Sequence, residues 1–208
     1  MHPPQVLHAA ALSHAHARNW YDRAWAACVE VAGPDADMLA RLIATLSPQA
    51  SVRQNAAWAV YALAAWRRGA GMYDKLPVGR FRHVRERVAS VLAGGPVTGP
   101  KCSAFYAAIT GDVDAVAIDT FVLRAMGLDP RPAPHVARYA SLATYLRTCA
   151  SIIDWPAREF QAALWAAAPR QRAGEDMAWC LRHYQGLLLQ GQLSPLIGPY
   201  GTRSASEE

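Results

Sequence analysis

Met38, Leu39, Leu42, Ile43 and Leu46 recur at intervals of three and four residues. That spacing lines them along one stripe of a helix and predicts a buried helix over 35–46. The same period returns along the chain, each time ended by Gly, Pro or a polar cluster. Trp20, Ala24, Trp25, Cys28 and Val31 predict a helix over 19–32, opened by Asn19 and broken at Gly33-Pro34. Ser51, with Gln54 three residues on, forms a capping-box pattern that opens a long Ala- and Trp-rich helix to about residue 68. A basic helix is expected over 79–93, with Val84, Val88, Val91 and Leu92 facing inward. Further helices are expected from Pro100 to Ile109, from Asp119 to Gly127, and over 136–152, 156–168 and 174–189. Val116-Ala117-Ile118 is too short a run to found a sheet, and no repeat is visible. The fold class is all-α, in one domain of two lobes, with 201–208 a frayed tail.

Composition agrees with a packed body: 52% of the 208 residues are hydrophobic and 18% charged. Cys28, Cys102, Cys149 and Cys180 lack metal-ligand spacing, and reduced thiols in a cytoplasmic protein are the default. The first ten residues lack the pattern of a signal peptide, and no apolar window reaches membrane-spanning length. His8, His14 and His16 read as part of a mobile arm rather than a metal site, and no metal or other cofactor is expected. The spacing of Trp20, Trp25, Trp58 and Trp66 points to core; Trp155 and Trp165 are open. The net charge is +5, and Arg67, Arg68, Lys75, Arg80, Arg82, Arg85 and Arg87 crowd one region with His83. Such a patch fits either a polyanion or a solvated helix face.

One segment concentrates chemistry. "GPKCSAFYAAITGDVDAVAIDTF" places Lys101 in the first turn of a short apolar helix and Asp119, 18 residues later, at the start of the next. The turn before Lys101 exposes backbone N–H groups that suit a phosphate. A lysine at a helix N-terminus opposes the dipole. Asp119 has a plain reading as an N-cap and a sharper one as a carboxylate poised over a cleft.

This unit resembles the helix-hairpin-helix DNA glycosylase superfamily in its endonuclease III and MutY branch. The resemblance rests on Gly99, Lys101, Gly111, Asp119 and Thr120, continued by Val122, Arg124, Gly127 and Leu128. A second patch, "LIATLSPQASVRQNA" at 42–56, looks like the stretch of that family whose Gln, here Gln49, reaches into the duplex. Together they span residues 38–128. Val97 stands where the family hairpin has its first Gly, Phe121 where many members have His, and the iron–sulfur cysteines are absent. Residues 129–208 show no match; "EFQAALWAAAPR" reads only as an amphipathic helix.

The resemblance implies a two-lobed fold and an enzyme that flips a damaged or modified base from duplex DNA and cuts its N-glycosidic bond. Lys101 would attack C1′ and form a Schiff base, giving lyase activity, and Asp119 would stabilise the cationic sugar. Thr98, Gly99, Arg82 and Arg85 would grip DNA, and Gln49 would fill the gap left by the base. The expected protein is a cytoplasmic monomer, in the host cytoplasm if phage-encoded. Lys101 is equally readable as a point charge on a phosphate. Two other outcomes stay open: a phage-type enzyme that hypermodifies DNA bases on the same fold, and a non-catalytic DNA-binding hairpin module.

Overall fold

The computed structural model describes residues 1–48, 50–69, 82–131, 134–168 and 176–191. Among them every regular element is helical. The α-helices are α1 (Pro4–Ser13), α2 (Trp20–Ala32), α3 (Ala36–Leu46), α4 (Val52–Arg67), α5 (Arg82–Leu92), α6 (Pro100–Ile109), α7 (Thr120–Ala125), α8 (Val136–Ile152), α9 (Ala157–Ala167) and α10 (Met177–Leu189). Single 3₁₀ turns, Ala15–Ala17 and Gly33–Asp35, precede α2 and α3. No helix among the described residues is long and apolar enough to cross a membrane.

The chain divides into two compact units, neither continuous in sequence. The first is built from residues 1–25 and 99–175, the second from 26–98 and 176–208. The division falls inside α2.

In the second unit α3 packs on α4 and α5, and α10 packs on α4. Leu39, Leu42, Ile43 and Leu46 of the predicted stripe are buried. The box opening α4 is complete: Ser51 Oγ accepts from Gln54 N, and Gln54 Oε1 accepts from Ser51 N. Helix α5 ends as the two glycines require. Gly94 takes φ +89, its N–H donates to Val91 O, and the Gly95 N–H donates to Ser90 O. Together these close a Schellman turn. A Cβ on Gly95 would lie 2.8 Å from that same carbonyl oxygen. The stretch "RGAGMYDKLPVG" at 68–79, whose glycines and proline predict a loop, lies for the most part outside the described residues, as do the first residues expected of α5, Gln49 and the tail.

The first unit is arranged around α9, which packs against α1, α7 and α8. Phe160, Ala163 and Leu164 of α9 are fully buried with Leu7, Ala11, Val122, Met126 and Leu146. Polar side chains of α9 bind outward in several directions. Glu159 pairs with Arg18 at 2.6 Å, Arg158 with Asp22 at 2.7 Å, and Gln161 accepts from the Tyr21 hydroxyl. The helix begins at Ala157 with Pro156 as its N-cap, one residue later than expected.

The expected N-terminal arm is instead a docked helix. Leu7 and Ala11, one helical turn apart, are fully buried against this core. His8 Nε2 lies 2.9 Å from Cys149 O, and its ring meets Phe160 edge-on. His2 N donates to Met126 O at 2.7 Å, and Tyr145 Oη donates to His2 O at 2.9 Å. Two buried apolar residues sufficed to dock α1, too few to register as a periodic stripe.

If α1 is part of the core, Leu7→Ala should cost about 2–5 kcal/mol of folding free energy. Urea unfolding followed by circular dichroism measures it; a cost below about 0.5 kcal/mol, the level of a neutral surface change, would return residues 1–13 to the status of an arm.

Candidate functional site

Lys101 and Asp119 belong to the same compact unit. A short buried connection joins the helices that carry them. Helix α6 ends at Ile109, Gly111 turns the chain at φ +111, and residues 115–118 run inward as buried, irregular backbone. Buried backbone without a sheet partner must find hydrogen bonds elsewhere. Tyr139 of α8 supplies them: its hydroxyl accepts from Ile118 N at 3.0 Å and donates to Val116 O at 2.9 Å. Desolvation pushes the Tyr139 phenol up to about 12, so it remains a donor at neutral pH. One side chain thus does the work of a neighbouring strand and sets where Asp119 emerges.

Asp119 is the N-cap of α7. Its Oδ1 accepts from Phe121 N and Val122 N, both at 2.9 Å. The plain reading of this aspartate is therefore realised. The second oxygen is occupied differently: Oδ2 accepts from the indole N–H of Trp165, on α9, at 3.2 Å. At the far end of α7, Gly127 adopts φ +70, and the Leu128 N–H returns to Leu123 O. The helix is short and tied down at both ends.

Lys101 lies in the first turn of α6, partly covered, with its Nζ 5.6 Å from the centre of the Phe105 ring. Desolvation lowers its pKa below the ordinary lysine value of 10.5, against the opposing charge of Asp119 and a smaller effect of Cys102. The carboxylate therefore acts on the amine electrostatically, and burial outweighs it.

Aromatic rings surround the pair. Trp20 and Phe105 are stacked with centroids 6.0 Å apart; Trp20 also meets Trp165 at 5.8 Å, and Phe121 meets Trp165 at 6.3 Å. Tyr21 is buried beneath them, its phenol pushed up by desolvation and by Asp119. The Trp20 indole N–H is buried with no acceptor among the described residues. Such a donor carries a desolvation cost that an accepting ligand would relieve.

The other predicted residues fall as follows. Gly99 adopts φ +93 as the N-cap of α6 and, as a glycine, supplies no side-chain cap. Thr98 is exposed, Arg85 is half-buried on α5, and Arg82 is the first residue of α5. Thr98, Arg82 and Arg85 belong to the second unit. Gln49 lies outside the described residues. Among the described residues no group of three or more His, Cys, Asp or Glu side chains could hold a metal ion, and no disulfide joins the four cysteines.

Sequence reasoning missed Trp165 and Tyr139, whose roles depend on long-range packing. It also missed a signal within reach. Of 21 basic residues only two, Lys75 and Lys101, are lysine. In a chain that otherwise uses arginine, an amine at position 101 is conspicuous, because a guanidinium binds phosphate well but cannot lose its proton.

Two lysines make the site easy to interrogate. After reductive ¹³C-methylation, the Lys101 signal is expected to titrate below the ordinary lysine range. It should fall further in Asp119→Asn, where the opposing charge is gone. An ordinary, Asp119-independent titration would contradict the electrostatics described. The same depressed pKa penalises stability fully at low pH, a penalty that fades as pH rises from the folded value towards 10.5. Lys101→Met should flatten that limb of the stability profile. Asp119→Ala should lose about 1 kcal/mol with the cap, whereas Asp119→Asn should lose much less, since Asn caps as well as Asp.

The family model described as a family of unknown function (DUF7178) matches residues 6–173. No curated protein and no solved structure matches the chain.

Proposed function

We propose that this chain, which belongs to family DUF7178, is a DNA glycosylase with lyase activity, acting on duplex DNA that carries a damaged or modified base. The observation that carries the reading is a single one: an amine whose pKa burial lowers stands in the electrostatic range of a carboxylate held by three hydrogen bonds, amid aromatic rings. A lowered pKa makes the lone pair of Lys101 more available than that of an ordinary lysine. That pair attacks C1′ of the extruded nucleotide as the N-glycosidic bond breaks, and the base leaves with the bonding electrons and takes up a proton. The amine loses its own proton as the sugar ring opens to the Schiff base. Asp119 faces the positive charge that builds on the sugar. The rings of Trp20, Phe105, Phe121 and Trp165 supply flat apolar surface for a base outside its stack. The start of α6 at Gly99 is where a phosphate would be gripped. Thr98, Arg82 and Arg85, on the second unit, are proposed as separate DNA contacts. The helix-hairpin-helix glycosylase fold, a monomeric state and a cytoplasmic setting belong to the same proposal.

A second reading is favoured by one observation. All three hydrogen bonds of Asp119 also serve local structure, as they would in a helical body that only binds DNA.

Borohydride trapping on an oligonucleotide with an abasic site separates the two. Wild type is expected to form a covalent adduct and Lys101→Gln is expected to form none. Asp119→Asn should lose about 10²–10⁴ in excision rate while still binding DNA. Trapping by Lys101→Gln at the wild-type level would refute the nucleophile. Equal phenotypes for wild type and Asp119→Asn would favour the binding module.

A further inference from the structure

The geometry points to Trp165 as a positioning residue that aims the Asp119 carboxylate through its indole N–H. This rests on the glycosylase reading and extends it into the part of the chain for which the sequence offered only an amphipathic helix. A helix cap alone fixes one oxygen. The two backbone donors, Phe121 N and Val122 N, both go to Oδ1. A carboxylate anchored at one oxygen can still rotate about its Cβ–Cγ bond and sweep the other through an arc. Trp165 Nε1 closes that freedom, reaching Oδ2 from α9 across the fold at 3.2 Å.

The indole is itself held in place. Its ring meets Trp20 at 5.8 Å with the planes tilted by 54°, and meets Phe121 edge-on at 6.3 Å. Helix α9, which carries it, has Phe160, Ala163 and Leu164 fully buried, so the ring is mounted on the most tightly packed helix of its unit. The neighbouring rings belong to α2 and α7, and Phe105 of α6 stacks on Trp20 in turn. Four helices therefore agree on one orientation of one carboxylate. Rigidity of this kind matters most where the group must face a charge that exists only in the transition state, because reorientation at that moment is a cost to the rate.

The test removes the N–H and keeps the ring. Trp165→Phe, and separately replacement of Trp165 by β-(3-benzothienyl)alanine, whose sulfur replaces the indole N–H, are compared with wild type. Both should lower the excision kcat by about ten-fold or more, the usual weight of a hydrogen bond to a charged group, with KM unchanged. The isostere should unfold at the wild-type urea concentration. Asp119→Asn combined with Trp165→Phe should be no slower than Asp119→Asn alone, since a positioning residue has nothing left to aim. Wild-type kcat in the isostere, or losses that multiply in the double variant, would overturn the assignment. A second arm does not need activity. The chain has seven tryptophans, and the Trp165 indole ¹⁵N–¹H signal is identified by its loss in Trp165→Phe. It should shift in Asp119→Asn; an unmoved signal overturns the contact itself. A wild type inactive on every altered base and abasic site tried overturns the glycosylase reading and the catalytic sense of this assignment with it, and the resonance measurement still decides the bond.

Discussion

The burial of Phe160 fixes helix α9, and through α9 nearly everything in the first unit. A fully buried aromatic side chain in an alanine-rich core leaves little choice of rotation or depth. With α9 fixed, each of its flanking polar side chains meets a partner that lies far away in sequence. Arg158 and Gln161 reach the first turn of α2, Glu159 reaches Arg18 just before it, and Trp165 reaches the cap of α7. The individual ion pairs are partly exposed and contribute little energy each. Their significance is geometric: they hold the start of α2, and so Trp20 and Tyr21, against the same helix that orients the carboxylate.

At the candidate site Asp119 has a structural role that ties several elements together. Asp119 caps α7 and lies at the end of a buried connection that Tyr139 pairs in place of a strand. Moving Asp119 would require moving α7, α8 or the buried connection that leads into α7. Lys101 has the opposite character. Its helix start lacks a side-chain cap, and its amine is disfavoured as a cation by desolvation. Stability is better served by an acidic or neutral residue there. A carboxylate that the fold needs and an amine that the fold tolerates at some cost form an asymmetric pair, and the cost falls on the group assigned the reaction.

Much of the local structure was legible in the sequence. The capping box at Ser51 and Gln54, the stripe in α3, the span 136–152 and the glycine stop at 127 are each encoded within a few neighbouring residues, so one helix could be read at a time. Lys101 and Asp119, 18 residues apart in sequence, fall in the same compact unit. What escaped was everything set by tertiary packing. Helix α1 buries too few residues to announce itself, yet Leu7 is fully covered. Trp165 differs from the other half-buried tryptophans only in what α9 brings it to. The role of Tyr139 is that of a missing strand, which no local pattern describes.

The division of α2 between two units, neither of them a continuous stretch of chain, bears on how the polypeptide matures. As it leaves the ribosome, α3, α4 and α5 emerge long before α10, the helix that covers α4. Helices α1 and α2 likewise wait for α9. The surface of α4 on which α10 packs is therefore covered only when that late helix has been made, after α3 has already packed on α4.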